Sequence, residues 1–139
     1  MKRYDQIFEL IPQRLPMVMV DKHLSTENNT TRTLFSIEPD SMFVENNFLS
    51  EAGIIENIAQ SAAVHSGVQF KQSGSKEAPV GFIASIQELQ INFYPKAGNQ
   101  LITEINFLDE VMGVSIIEGI SKCNEKICAS CKMKIFLKQ

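Results

Sequence analysis

Apolar positions recur at helical spacing, unbroken by proline, through residues 51–70, EAGIIENIAQSAAVHSGVQF, and this predicts the longest helix of the chain. With Glu56 at zero on a helical wheel, Gln60 falls about 40° away and Ala52, Ala59, Ala63 and Gly67 lie around them. One face therefore carries a carboxylate and a carboxamide on a floor of small residues. The other side holds Ile54, Ile55, Ile58 and Ala62, so the helix has no broad polar face and belongs inside the molecule. Ser50 reads as its N-cap, with Glu51 in the first turn where the helix dipole favours an anion.

The remaining pattern is mostly that of strands. Residues 2–11 predict a short amphipathic helix with Tyr4, Ile7, Leu10 and Ile11 on one side, ended by Pro12. The run MVMV at 17–20, continuing to Leu24, reads as a first strand, the polar STENN at 25–29 as a turn, and TRTLFSI at 31–37 as the antiparallel partner. Residues 38–49 read as irregular. Past the helix, a polar loop at 71–79 leads to strands at 80–93, with a bend or bulge at QELQ, and at 101–108, 114–123 and 126–137, the last two joined through Asn124 and Glu125.

The expected class is α+β: a curled antiparallel sheet of about five to six strands wrapped around one long central helix. A chain of 139 residues is one domain's worth, residues 1–139, with no second core required. One sheet cannot cover every side of an apolar helix. A second copy is therefore expected over the uncovered face and the sheet edges, giving a homodimer or higher oligomer.

Charge narrows the partners. The 13 basic and 16 acidic residues give a net charge of −3, without the basic excess that marks a nucleic-acid binder. No apolar run approaches the roughly 18 residues of a membrane span, and the N-terminus lacks a signal peptide's apolar core, so a soluble cytoplasmic protein is expected. Cys128 and Cys131 form a CxxC, but a structural zinc site takes four ligands and the only histidines are His23 and His65. The cysteines read as reduced, partly buried thiols, with no metal and no cofactor expected.

Glu56 is the residue that most needs a reason, because a carboxylate on a buried helix is costly unless paired or protonated. It is either an anchor hydrogen-bonded to a loop or an acid–base group.

Three strings carry a resemblance. IPQRLPMVMVDK at 11–22 resembles a Leu-Pro-His-Arg-x-Pro-apolar-Val-Asp-Arg opening, with Gln13 in place of the His. GIIENIAQSAA at 53–63 resembles a central-helix string of apolar residues, Glu, three residues, then Gln, and FYPKAGNQL at 93–101 resembles a Pro-Gly-Asp-x-Leu loop with Gly98 and Leu101 retained. In this order, over nearly the whole chain, they resemble the hotdog-fold 3-hydroxyacyl-acyl carrier protein dehydratases of fatty-acid synthesis.

That resemblance implies a hotdog fold, an acyl tunnel between two subunits, and elimination of water from a 3-hydroxyacyl thioester. It implies Glu56 as a catalytic residue; on a dehydratase reading Gln60 is the candidate to position water or the carboxylate, and Asn46, Asn47, Phe48, Ile55 and Phe82 are the candidates for the substrate site, with Phe43 and Ile83 as further candidates for the tunnel wall. The family's second group, a His in a His-Phe-Pro-Gly element, has no counterpart: its position falls at Met42, and nothing between Leu24 and Val64 is histidine. His65 lies on the opposite side of the helix from Glu56 and about 13 Å along it, which makes it a core or interface residue, and His23 reads as a strand-surface or edge residue.

Three functions stay open at this point. One is a dehydratase acting on acyl carrier protein or CoA thioesters in fatty-acid or polyene-type biosynthesis, with Glu56 handling protons. The second is a thioesterase in which Glu56 activates water. The third is a non-catalytic acyl-binding subunit that completes a heterodimer with a related dehydratase. Arg14, Lys22, Lys71, Lys76 and Lys96 are the cations available to an acidic carrier protein.

Overall fold

The computed structural model describes residues 3–74 and 80–138, the last two by their backbone alone. In chain order the elements are α1 (Asp5–Phe8), β1 (Lys22–Glu27), β2 (Thr30–Ser36), β3 (Val44–Glu45), β4 (Phe48–Leu49), α2 (Glu51–Gln72), β5 (Val80–Ile91), β6 (Gln100–Val111), β7 (Val114–Cys123) and β8 (Lys126–Lys138). Six strands form one antiparallel sheet in the order β1-β2-β6-β7-β8-β5. Helix α2 touches β1 and β5, at opposite edges, as well as β2, β6 and β7 between them. The sheet is rolled around the helix, as the all-round apolar pattern required.

The main core sits in that roll. Ile54, Ile58 and Ala62 of α2 pack with Leu49, Phe35, Leu101, Ile105, Ile117 and Met133, each buried isoleucine or leucine contributing about 2 kcal/mol. Gly119 on β7 lies beneath Ile58, where an added Cβ would strike the Ile58 side chain, so the missing side chain sets how closely helix and sheet approach. A second cluster joins Ile7, Leu10, Ile11, Val18 and Val20 to Val64 on another side of α2. The N-terminal segment of the same chain therefore covers part of the helix that the sheet leaves open. Gly67 makes this possible, since its Cβ would run into the Leu10 carbonyl.

Ser50 caps α2 by accepting a hydrogen bond from the Gly53 amide at 3.3 Å. The expected irregularity in β5 is real: its pairing with β8 slips between Gln87 and Gln90, and Glu88 has φ of 53°. The β7–β8 hairpin turns through Asn124 and Glu125, both with positive φ, the geometry that matches the twist of paired strands.

Two expected elements differ. The N-terminal helix is a single turn of four residues; beyond it the Arg14 guanidinium donates to the carbonyls of Phe8, Ile11 and Gln13, which satisfies them outside a helix. The MVMV run is not a strand. Its polar backbone groups bond to side chains of α2, so the first strand begins at Lys22, and the expected turn at 25–29 shrinks to Asn28 and Asn29.

His65 is fully buried, hydrogen-bonded through Nδ1 to Thr31 Oγ1 at 2.7 Å and stacked on Phe107 at 4.2 Å. A chain of hydroxyls continues through Thr26 to His23 Nε2. All three cysteines are buried, and burial pushes the Cys128 thiol up to about 12 and the Cys131 thiol to about 11, which leaves both inert at neutral pH.

Burial holds the His65 pKa below its ordinary 6.5, so at mildly acidic pH the unfolded chain binds a proton that the folded one refuses. Stability is complete above about pH 6.5 and falls as pH drops below it. Chemical denaturation at pH 7.5 and 5.5 is expected to show this loss, and His65→Gln is expected to reduce it.

Candidate active site

Gln60 is 1% exposed and makes three hydrogen bonds that organise the site. Its Oε1 accepts from the Met19 amide at 2.6 Å, and its Nε2 donates to the Met17 carbonyl and to Glu56 Oε2, each at 2.9 Å. One turn away, Asn57 Nδ2 donates to the Met19 carbonyl at 2.7 Å while its Oδ1 accepts from Thr103 Oγ1 on β6. Residues 17–19 are thereby strapped to α2, and Glu56 is held in one orientation by the same carboxamide that holds the strap. The i, i+4 spacing that places Gln60 beside Glu56 was readable in the sequence. Its second job, at a backbone segment far away in the chain, was not.

Glu56 is half-buried and lines a cavity of about 200 Å³. The floor is the small face of α2, Ala59, Ala62, Ala63 and Ser66. The walls are Gly81, Phe82 and Ile83 of β5, Phe107 of β6, Ser115 of β7 and Ile135 of β8, with Gln13 entering from the N-terminal segment. Glu56 is the one ionisable side chain among the described lining residues, in a neutral surround of mostly apolar side chains with Gln13, Ser66 and Ser115. A carboxylate held by a single amide donor there has a free oxygen for a proton, which is what a general base or acid needs.

Of the residues expected to bind substrate, Phe82 shares this cavity with Glu56, as does Ile83. Ile55 and Phe43 pack against the main core. Asn46 and Phe48 line a separate groove with Glu51, Ala52, Phe93 and Tyr94 at the start of α2. Asn46 and Asn47 form the β3–β4 turn, both at positive φ, and the Asn47 carbonyl accepts from the Ala97 amide at 2.9 Å. Neither histidine lines the Glu56 cavity. Gln13 and the two serines are cavity residues that sequence reasoning did not assign; the only available signal was the departure at Gln13 from the resembling string.

The cations are unevenly placed. Arg14 is committed to three carbonyls and lies 4.5 Å from the Phe8 ring centre, and Lys71 pairs with Glu9 at 2.8 Å. Lys22 and Lys96 are exposed. Lys76 falls outside the described residues.

A helix rolled in an antiparallel sheet, with a carboxylate facing a cavity beside the sheet's edge strand, defines a hotdog-fold protein. Its architecture is similar to that of a chain in the dehydratase heterocomplex ApeI:P from Xenorhabdus doucetiae, with a TM-score of 0.89, 19% identity and coverage of 99% of this chain and 93% of that one. The chain belongs to the ApeP-like dehydratase family, whose model, described as ApeP dehydratase, matches residues 5–139. It is also similar to the 3-hydroxyacyl-[acyl-carrier-protein] dehydratase FabZ of Vibrio atlanticus, at 29% identity over 93% of this chain and 89% of that protein. The FabZ of Sodalis glossinidius is 27% identical over 93% of this chain and 88% of that protein. Family and relatives alike are dehydratases, which favours elimination over the hydrolytic and non-catalytic alternatives.

Replacing Gln60 by Leu is expected to leave the buried Met19 amide without an acceptor and to lower stability by about 3 kcal/mol, measured by urea denaturation. Activity should fall with it in the portion that remains folded, since Glu56 loses the hydrogen bond that orients it.

Proposed function

We propose that this protein removes water from a 3-hydroxyacyl thioester carried on acyl carrier protein or CoA, in the building of a fatty-acid or polyene-type chain. The observation that carries the reading is Glu56, oriented by Gln60 and the one ionisable side chain among the described residues of a mostly apolar cavity. Its carboxylate takes a proton from C2, the electron pair forms the C2–C3 double bond, and the C3–O bond breaks. The leaving hydroxyl takes up a proton and departs as water. One carboxylate suffices for that balance, because the proton gained from C2 is the proton delivered to the hydroxyl.

Phe82 and Ile83 supply apolar wall for the acyl end, while Ile55 packs against the main core. Asn46 and Phe48, in a separate groove, and Asn47, in the β3–β4 turn, touch no reacting atom in this reading. The cavity is smaller than the roughly 300–1,000 Å³ of a complete small-molecule site, and it opens beside the sheet edge. There Val80, Phe82, Ile83 and Ile86 of β5 are exposed, which supports a second subunit closing the tunnel. The partner is a second copy or a related dehydratase. Because no histidine of this chain reaches the cavity, a partner's side chain is where any further acid–base group enters. Lys22 and Lys96 are the exposed cations offered to an acidic carrier, and the setting proposed is the cytoplasm.

The assembled protein is expected to convert a 3-hydroxyacyl thioester to the enoyl thioester without releasing free thiol. Glu56→Gln, which preserves size and can still bond Gln60, should cut kcat at least about 100-fold with melting temperature unchanged. Full activity in that variant, or thiol release by the wild type, sinks the reading.

A further inference from the structure

His65 is a buried titratable group that the proposed chemistry leaves unused. Its ring stacks at 4.2 Å on Phe107, a wall residue of the Glu56 cavity. Its Nδ1 lies 2.7 Å from Thr31 Oγ1, which lies 2.8 Å from Thr26 Oγ1, which lies 2.7 Å from His23 Nε2. Residues three apart in a regular strand point to opposite faces. The register of β1 slips between His23 and Ser25, and the extra residue turns His23 and Thr26 to the same side.

This run of atoms obeys a count. Each hydroxyl has one hydrogen to give, so the two threonines supply two of the hydrogens that the run needs and one imidazole must supply the remaining one. Were both facing nitrogens to carry hydrogen, or neither, a bond would be lost beside Thr31, which is fully buried and has no water to replace it. At neutral pH the direction is set at the outer end. The Ser25 backbone bonds the His23 ring in the sense that favours its proton-bearing form, so the ring's hydrogen sits on Nδ1, against that acceptor, and Nε2 accepts from Thr26. His65 is then the donor, with its own hydrogen on Nδ1.

We propose that this run is a pH-sensitive switch, in which protonation of His23 at the sheet edge fixes the tautomer of His65 in the core and keeps it uncharged. Protonated His23 carries hydrogen on both nitrogens. Its Nε2 becomes the donor, both hydroxyls turn round, and His65 Nδ1 becomes the acceptor. His65 stays neutral: the hydrogen on Nδ1 leaves to solvent as a proton and another proton is taken up at Nε2, during opening of the edge strand β1. The pair thus holds one extra proton rather than two. Burial keeps both histidines below the ordinary 6.5, so the switch operates below about pH 6.5.

His23 is the one charge among the described residues that acts on His65. Of the charged side chains on the elements packed here, Lys22, Glu27 and Arg32 are exposed, as are Asp5 and Glu9 of the N-terminal segment and Asp109 and Glu110 of β6. Arg32 pairs with Glu104, and Glu9 with Lys71 of α2. On α2 itself, Glu51 is exposed and Glu56 faces the cavity. Acidification therefore reaches the ring behind Phe107 as a change of tautomer and not as a buried charge.

The chain has only two histidines, so nitrogen-15 labelling of histidine in the untagged, assembled protein reports both rings in long-range proton–nitrogen spectra. Across the His23 transition, His65 is expected to move its hydrogen from Nδ1 to Nε2 without becoming doubly protonated. Thr26→Val, close in shape and without the hydroxyl, should abolish the change at His65 while His23 still titrates, and Thr26→Ser should keep it. The inference is overturned if His65 shows the same tautomer on both sides of the His23 transition, or if both rings are doubly protonated in the folded protein. It is equally overturned if a folded Thr26→Val protein keeps the change or a folded Thr26→Ser protein loses it.

Discussion

The side-chain amide of Gln60 joins three parts of the molecule that are distant in sequence or in role. Its oxygen takes the Met19 amide and its nitrogen gives to the Met17 carbonyl, so the N-terminal strap is fixed to the central helix. Its remaining hydrogen goes to Glu56. A carboxamide suits this position because it accepts and donates at once; a carboxylate would face the Met17 carbonyl with no proton to offer. Folding and site geometry depend on the same few atoms. The strap in turn carries Val18 and Val20 into the second hydrophobic cluster, which shields a flank of the helix that the sheet does not reach.

That arrangement explains why an amphipathic search fails on this helix and why the fold tolerates polar groups inside it. Asn57, Gln60, Ser61 and His65 are all buried on α2, and each has a partner on another element or on the helix itself: Thr103 and Met19 for Asn57, Thr33 for Ser61, Thr31 for His65. Threonines of β2 and β6 face the helix in place of aliphatic residues, giving a polar seam between helix and sheet flanked by the isoleucines of the main core. Such a seam specifies register, since sliding the helix by one residue would leave several buried groups unpaired at once. The cavity lies on another flank of the helix, where the side chains are small and the edge strand β5 supplies apolar wall. The Glu56 carboxylate stands at that boundary between filled core and open space.

Local chemistry accounts for most of the secondary structure. The helix at 51–70 was legible from its periodicity and its Ser50 cap, and extends only two residues further. The hairpin at Asn124 and Glu125 and the bulge in QELQ were legible because turn geometry and irregular alternation are short-range properties. Glu56 was legible as a residue needing explanation, and Gln60 as its neighbour one turn on. The MVMV run is not a strand because alternation and β-branched content say only that a segment is buried and extended, whereas whether its amides bond to a strand or to a side chain is decided elsewhere in the chain.

By itself, then, the sequence determined a buried helix, a run of antiparallel strands and one awkward carboxylate, since these follow from spacing along neighbouring residues. Only the tertiary structure decided that residues 17–20 are a strap, that Asn46 and Phe48 belong to a different groove from Glu56, and that Gln13 joins Glu56 in one cavity. The physical reason is the same in each case. A hydrogen bond from Met19 to Gln60 spans 41 positions, and a cavity is walled by five separate elements and the N-terminal segment; the closing of such long loops is set by the packing of the whole chain, which no local pattern encodes.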